Sequence, residues 1–157
     1  MTAILMENTD DILKVICENI GDISSLVNVS STCKIMKDCA ISTTLYKEKK
    51  QEKDNFDLCD KIDDLVVSKI IKNRKNEDDS EIVMAINEEK KKLNKGCLWI
   101  LANMIHDDYC DYANSRDALY YQYAFKRSPI LKEMILEIDA DYKIYMDNWW
   151  MDDNTDY

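Results

Sequence analysis

Residues 8–47 read NTDDILKVICENIGDISSLVNVSSTCKIMKDCAISTTLYK, and the spacing of their apolar side chains decides the fold class. Ile12, Leu13, Ile16 and Ile20 recur at three- and four-residue steps, which places them on one stripe of a helix over residues 10–20. Asn8 or Thr9 is the predicted cap, with Asp10 and Asp11 at the positive end of the helix dipole, and Gly21 is the predicted stop. A second helix, capped by Asp22 or Ser24, carries Leu26, Val29, Cys33 and Met36 at the same spacing, while Asn28, Ser30 and Ser31 face away. Ser42 or Thr43 caps a short third helix with Leu45 and Tyr46.

The same reading extends outward. The mixed-charge run KEKKQEKD (47–54) reads as a solvated helix end or connector and marks a domain boundary. Beyond it, Leu58, Ile62, Leu65, Val66 and Ile70 form another stripe, and the polar residues 73–80 form a loop. Ser80 or Asp79 caps a helix with Ile82, Val83, Ile86 and Leu93, and Gly96 interrupts before the apolar run CLWILANMI, in which Trp99 is predicted to be core. A tyrosine-rich helix restarts near Ser115, with Leu119, Tyr120, Tyr123 and Ala124 on its stripe. Ser128 as cap and Pro129 at the first helical position then predict a helix running to about Asp147, with Leu131, Met134, Ile135, Ile138, Tyr142 and Tyr145 on one face. The expected architecture is all-α in two units, residues 8–50 and 55–147, followed by an acidic tail, 148–157.

Composition narrows the function classes. Two glycines and one proline in 157 residues leave too few turn formers for a sandwich, a barrel or a phosphate-cradling loop. Such a length buries roughly 70% of the unfolded chain's surface, enough for a core without staples. The net charge of −10 argues against a nucleic-acid backbone or an anionic membrane as partner. There is no run of about 18 apolar residues and no basic-then-apolar leader, so the expected location is intracellular, cytoplasmic or nuclear. The six cysteines form no CxxC pair and are expected to be reduced, mostly core residues.

The ordered series in residues 8–47 resembles an F-box. Asp11, Ile12, Leu13, Ile16 and Ile20 fall on the first part of that motif, Leu26, Val29, Thr32, Cys33, Lys34 and Met36 on its Val-Cys-Lys core, and Leu45, Tyr46 and Lys47 on its closing triplet. Asn8 and Thr9 stand where the family has Leu-Pro, Met36 and Tyr46 replace its two tryptophans, and the turn at 21–25 is one residue longer than usual. The resemblance implies docking on the Skp adaptor of a cullin-RING ubiquitin ligase through Ile12, Leu13, Ile16, Ile20, Leu26, Val29, Cys33, Lys34, Met36, Leu45 and Tyr46. The rest of the chain would present a protein target, as yet unknown. A proline-poor composition rich in Lys, Asn, Ile and Asp is consistent with an AT-rich genome, such as that of a large DNA virus or a protist.

No catalytic constellation competes with that reading. His106 with Cys110 and Asp107 or Asp111 is a ligand set only in principle, because zinc sites carry paired ligand spacing; no metal and no cofactor is expected. The tyrosines are read as core rings with hydroxyls at the rim, except Tyr121, which lies off the stripe and is a candidate second partner surface. Trp149 and Trp150 join it, being adjacent and so diverging by about 100° on a helix, inside a terminus of net charge −5 over residues 139–157. The rival functions are a structural helical protein, such as a small virion or assembly component, and an acidic binding inhibitor.

Overall fold

A computed structural model describes the backbone of residues 2–114 and 118–152 and the side chains of 10–110 and 122–147. The fold is all-α: α1 (Thr2–Glu18), α2 (Ile23–Ser30), α3 (Lys34–Ser42), α4 (Thr44–Lys75), α5 (Ser80–Lys90), a 3-10 turn (Lys95–Cys97), α6 (Leu98–Asn114), α7 (Ala118–Ile138) and α8 (Tyr142–Asp152), with no strand among the described residues. The chain divides into two compact units, residues 1–54 and 55–157, with the division inside α4.

In the first unit α3 packs against both α1 and α2. Cys17, Leu26 and Ala40 are enclosed at the centre, with Ile20, Val29, Met36, Leu45 and Tyr46 half-buried around them. The predicted cap at Asn8 or Thr9 is replaced by a helix that begins at Thr2, because the upstream residues Ala3 to Glu7 are good helix formers and contain no breaker. Asp22 caps α2 as predicted, its carboxylate accepting from the Ser25 amide at 2.8 Å. That hydrogen bond holds its pKa below the ordinary carboxylate value.

The single second helix of the sequence reading is two helices. The hydroxyls of Ser30, Ser31 and Thr32 donate to the carbonyls of Val27, Asn28 and Val29 at 2.7, 2.6 and 2.8 Å, which offers the backbone an alternative to helix, and Cys33 is fully extended. Thr43 caps the next helix, its Oγ1 accepting from the Tyr46 amide at 3.2 Å. That helix is not short. Residues 47–54 are Lys, Glu, Gln and Asp with no Gly or Pro, so the run expected to be a connector remains inside the 32-residue α4.

The second unit is built on the later half of α4. Ile62, Val66 and Ile70 meet Leu98, Leu101 and Ile105 of α6, with Leu131, Met134 and Ile135 of α7 and Met146 of α8 completing one core. α4 runs to Lys75, shortening the expected 73–80 loop, and Asn76 turns the chain at φ 55°, a conformation asparagine tolerates better than most residues. Asp79 is the N-cap residue of α5, as one of the two expected, but its side chain makes no cap hydrogen bond; the Asp78 carboxylate instead accepts from the Ser80 amide at 2.9 Å and from its hydroxyl at 3.0 Å. Glu89 on α5 accepts from Lys61 at 2.5 Å and Lys92 at 2.8 Å, and Lys61 first among these partners holds its pKa down.

Three expectations here are corrected. Trp99 is 56% exposed rather than core, because Leu98, Leu101, Ala102 and Ile105 already form the buried stripe of α6 and position 99 lies about 100° off it. Pro129 does not begin a helix; it lies inside α7, where the Ser128 hydroxyl donates to the Ala124 carbonyl at 3.0 Å instead of capping. The helix expected to reach Asp147 breaks at 139–141, where the Asp139 carboxylate accepts from the Asp141 amide at 3.1 Å, and α8 then continues to Asp152, into the segment read as a tail.

Candidate functional site

Helix α1 carries apolar side chains on more of its circumference than its unit encloses. Cys17 is buried in the core and Ile20, just beyond the end of α1, packs half-buried against it, while Leu13 is half-buried. Ile12, Val15 and Ile16 form a second set at the same helical spacing, exposed at 59, 57 and 48%. Val27 on α2 and Ile35 on α3 are also exposed, at 49 and 47%. With Ile41, also on α3, six aliphatic residues among the described side chains of this unit face solvent.

The residues expected to bind a partner divide accordingly. Ile12, Ile16, Cys33 and Lys34 are exposed. Leu26 is wholly enclosed and holds α2 in place; Ile20, Val29, Met36, Leu45 and Tyr46 pack around it and present only part of their surface. Val15, Val27 and Ile35 were not picked out, and the signal was present: each lies at an apolar position beyond the width of a single core-facing stripe. Tyr121, Trp149 and Trp150 lie outside the residues whose side chains are described, as do Asp111 and Tyr120.

The second unit holds a charged cluster that periodicity passed over. Arg127 on α7 donates from Nε to Asp108 Oδ2 at 2.6 Å, its Nη2 meets the other oxygen of the same carboxylate, and Asp63 Oδ1 on α4 lies 3.3 Å from Nε. Asp108 continues the buried stripe of α6, and Arg127 sits between Ala124 and Leu131 on that of α7; a charge at an apolar-stripe position was the available clue. Asp63 Oδ1 is buried and makes no hydrogen bond, so Arg127 is within ion-pair reach of it but directed at Asp108. Burial raises the Asp63 pKa, with Arg127 opposing.

His106 is partly buried, with Nε2 3.5 Å from the Cys110 sulfur and Nδ1 3.7 Å from Asp107. Among the described residues no three His, Cys, Asp or Glu side chains cluster as metal ligands, and no helix is long and apolar enough to cross a membrane. The cysteines are free: Cys17, Cys59 and Cys97 are buried, Cys39 and Cys110 half-buried, and Cys33, expected with most of them in the core, is exposed. Tyr123 packs on the core with the Arg74 guanidinium 4.7 Å above its ring. Comparison with known proteins finds no matching family model, no matching curated protein and no matching solved structure.

Proposed function

We propose that this chain is a protein-interaction adaptor of the F-box type, its N-terminal unit docking the Skp adaptor of a cullin-RING ubiquitin ligase and its C-terminal unit presenting a protein target. The observation that carries the reading is the second apolar stripe of α1, Ile12, Val15 and Ile16, which the unit's own core does not use. Exposed aliphatic stripes on a small helical unit are surfaces that partner helices cover. The motif residues Leu26, Val29 and Met36 then serve to hold α2 and α3 together behind that stripe. No chemistry is asked of the chain itself; ubiquitin transfer belongs to the partners.

The test is complex formation between the full chain and purified Skp adaptor, followed by gel filtration and calorimetry. The expected result is a stable complex that weakens at least about tenfold in the double variant Ile12→Glu, Ile16→Glu, since two aliphatic anchors are lost at a partner surface. Both positions are exposed, so circular dichroism of the variant should match wild type. Failure of the wild-type chain to bind adaptors from protist and animal hosts overturns the reading, and leaves the structural or acidic-inhibitor function.

A further inference from the structure

A cleft of about 250 Å³ opens between α6 and α7. Tyr109, Ala124, Phe125 and Pro129 line it, and its surface is overwhelmingly apolar. Size alone excludes many ligands. An apolar cavity of about 150 Å³ accepts benzene, while sites for cofactors and drug-sized molecules begin near 300 Å³ and reach about 1,000 Å³. The cleft therefore suits a body of about ten non-hydrogen atoms rather than a nucleotide or coenzyme.

Three polar side chains set its chemistry. The Asp108 side chain, only 7% exposed, borders the cleft with its carboxylate held by Arg127. Ser128 donates its hydroxyl hydrogen to the Ala124 carbonyl. Lys132, half-buried on α7, brings a cation to the apolar wall. Burial lowers the Lys132 pKa, and Asp147 on α8 opposes that shift. A cation partly removed from water gains from an anion that arrives with its own apolar body, because the pair then restores what desolvation took away.

We propose that this cleft binds a small amphipathic carboxylate, with an acyl chain or aromatic ring of about eight carbons against Ala124, Phe125 and Pro129 and the head group on the Lys132 ammonium. The proposal concerns residues 55–157 alone and is independent of the adaptor reading. Asp108 is neutralised by Arg127, so it does not repel the head group. Asp147 acts on Lys132 through its charge and so opposes the head group.

The experiment titrates octanoate, octan-1-ol and octylamine into the full chain by calorimetry, with backbone amide shifts as a second readout. Octanoate is expected to saturate and to shift the amides of Ala124, Phe125 and Lys132. Octanol should bind on the order of tenfold more weakly, the usual cost of losing a charge-assisted contact, and octylamine more weakly still. Lys132→Met should reduce octanoate affinity to that of octanol and leave octanol unchanged, Lys132→Arg should retain octanoate, and Asp147→Asn should strengthen it. Equal affinities for octanoate and octanol, no saturation by octanoate, wild-type octanoate affinity in Lys132→Met, or amide shifts clustered away from α6 and α7 would each overturn the proposal.

Discussion

Arg127 on α7 closes its guanidinium over the carboxylate of Asp108 on α6 in a two-point contact, Nε donating at 2.6 Å. Asp108 is almost fully buried, so removing the guanidinium leaves a charge that water cannot reach. Arg127→Leu should therefore cost about 3–5 kcal/mol. Replacing both residues by leucine should cost less than Arg127→Leu alone, because Asp108 is then no longer left as a buried charge without its partner, while Asp63 loses its neighbouring cation in both variants; urea denaturation of the four proteins measures the coupling.

Asp63 should make the second unit less stable as pH rises. Its pKa is raised by burial, pulled back by Arg127 and raised again by Asp64 and Asp60. The folded chain thus keeps this proton to higher pH than the unfolded chain, whose carboxyl titrates at 3.8. The stabilising contribution is complete below that value and is lost as pH rises through the folded pKa. Asp63→Asn should be more stable than wild type at pH 7, with the difference shrinking toward acid, as followed by denaturation across a pH series. A variant less stable than wild type at pH 7 would mean that attraction to Arg127 outweighs burial.

Gly96 and Gly21 should respond differently to alanine. A Cβ at Gly96 would stand 2.5 Å from Asn55 Nδ2 and 2.9 Å from Asn94 Oδ1, the atom that accepts from the Gly96 amide at 2.7 Å. Gly96→Ala should cost about 1–3 kcal/mol as these side chains are pushed apart. At Gly21 nothing lies within 4 Å and φ is not positive, so Gly21→Ala should stay within about 0.5 kcal/mol.

Trp99 and Ile105 offer a direct test of where the core of α6 lies. Ile105 is fully enclosed, and Ile105→Ala should cost about 2–5 kcal/mol in thermal or chemical unfolding. Trp99 is exposed and makes a tilted ring contact with Tyr145 at 6.5 Å between centroids. Trp99→Ala should cost only about 0.5–1.5 kcal/mol, the value of an aromatic pair, despite removing a larger side chain.

Much of this was legible from periodicity. The stripe Ile62, Val66, Ile70 on α4 and the stripe Leu131, Met134, Ile135 on α7 are core in the fold as in the sequence, since each repeats at helical spacing with polar residues opposite. Local chemistry misled where two signals competed. Ser128-Pro129 carries the pattern of a helix start, yet α7 already runs through it from Ala118, and a serine can bond backward inside a helix as readily as it caps one. Ser30 and Ser31, a polar face on the sequence pattern, instead form with Thr32 the break between α2 and α3.

From the sequence alone follow the all-α class, the stripes and a choice of two residues for each of two caps, Asp22 or Ser24 and Ser42 or Thr43, because these depend on residues within a turn or two of one another. Only the tertiary structure decided that Leu26 is enclosed while Ile12 and Ile16 are not, that Trp99 faces outward, and that Asp108 meets Arg127 from a different helix. A 3.6-residue period states which side chains share a face. Whether that face is covered depends on the shape of a second element, and burial is a property of the two together.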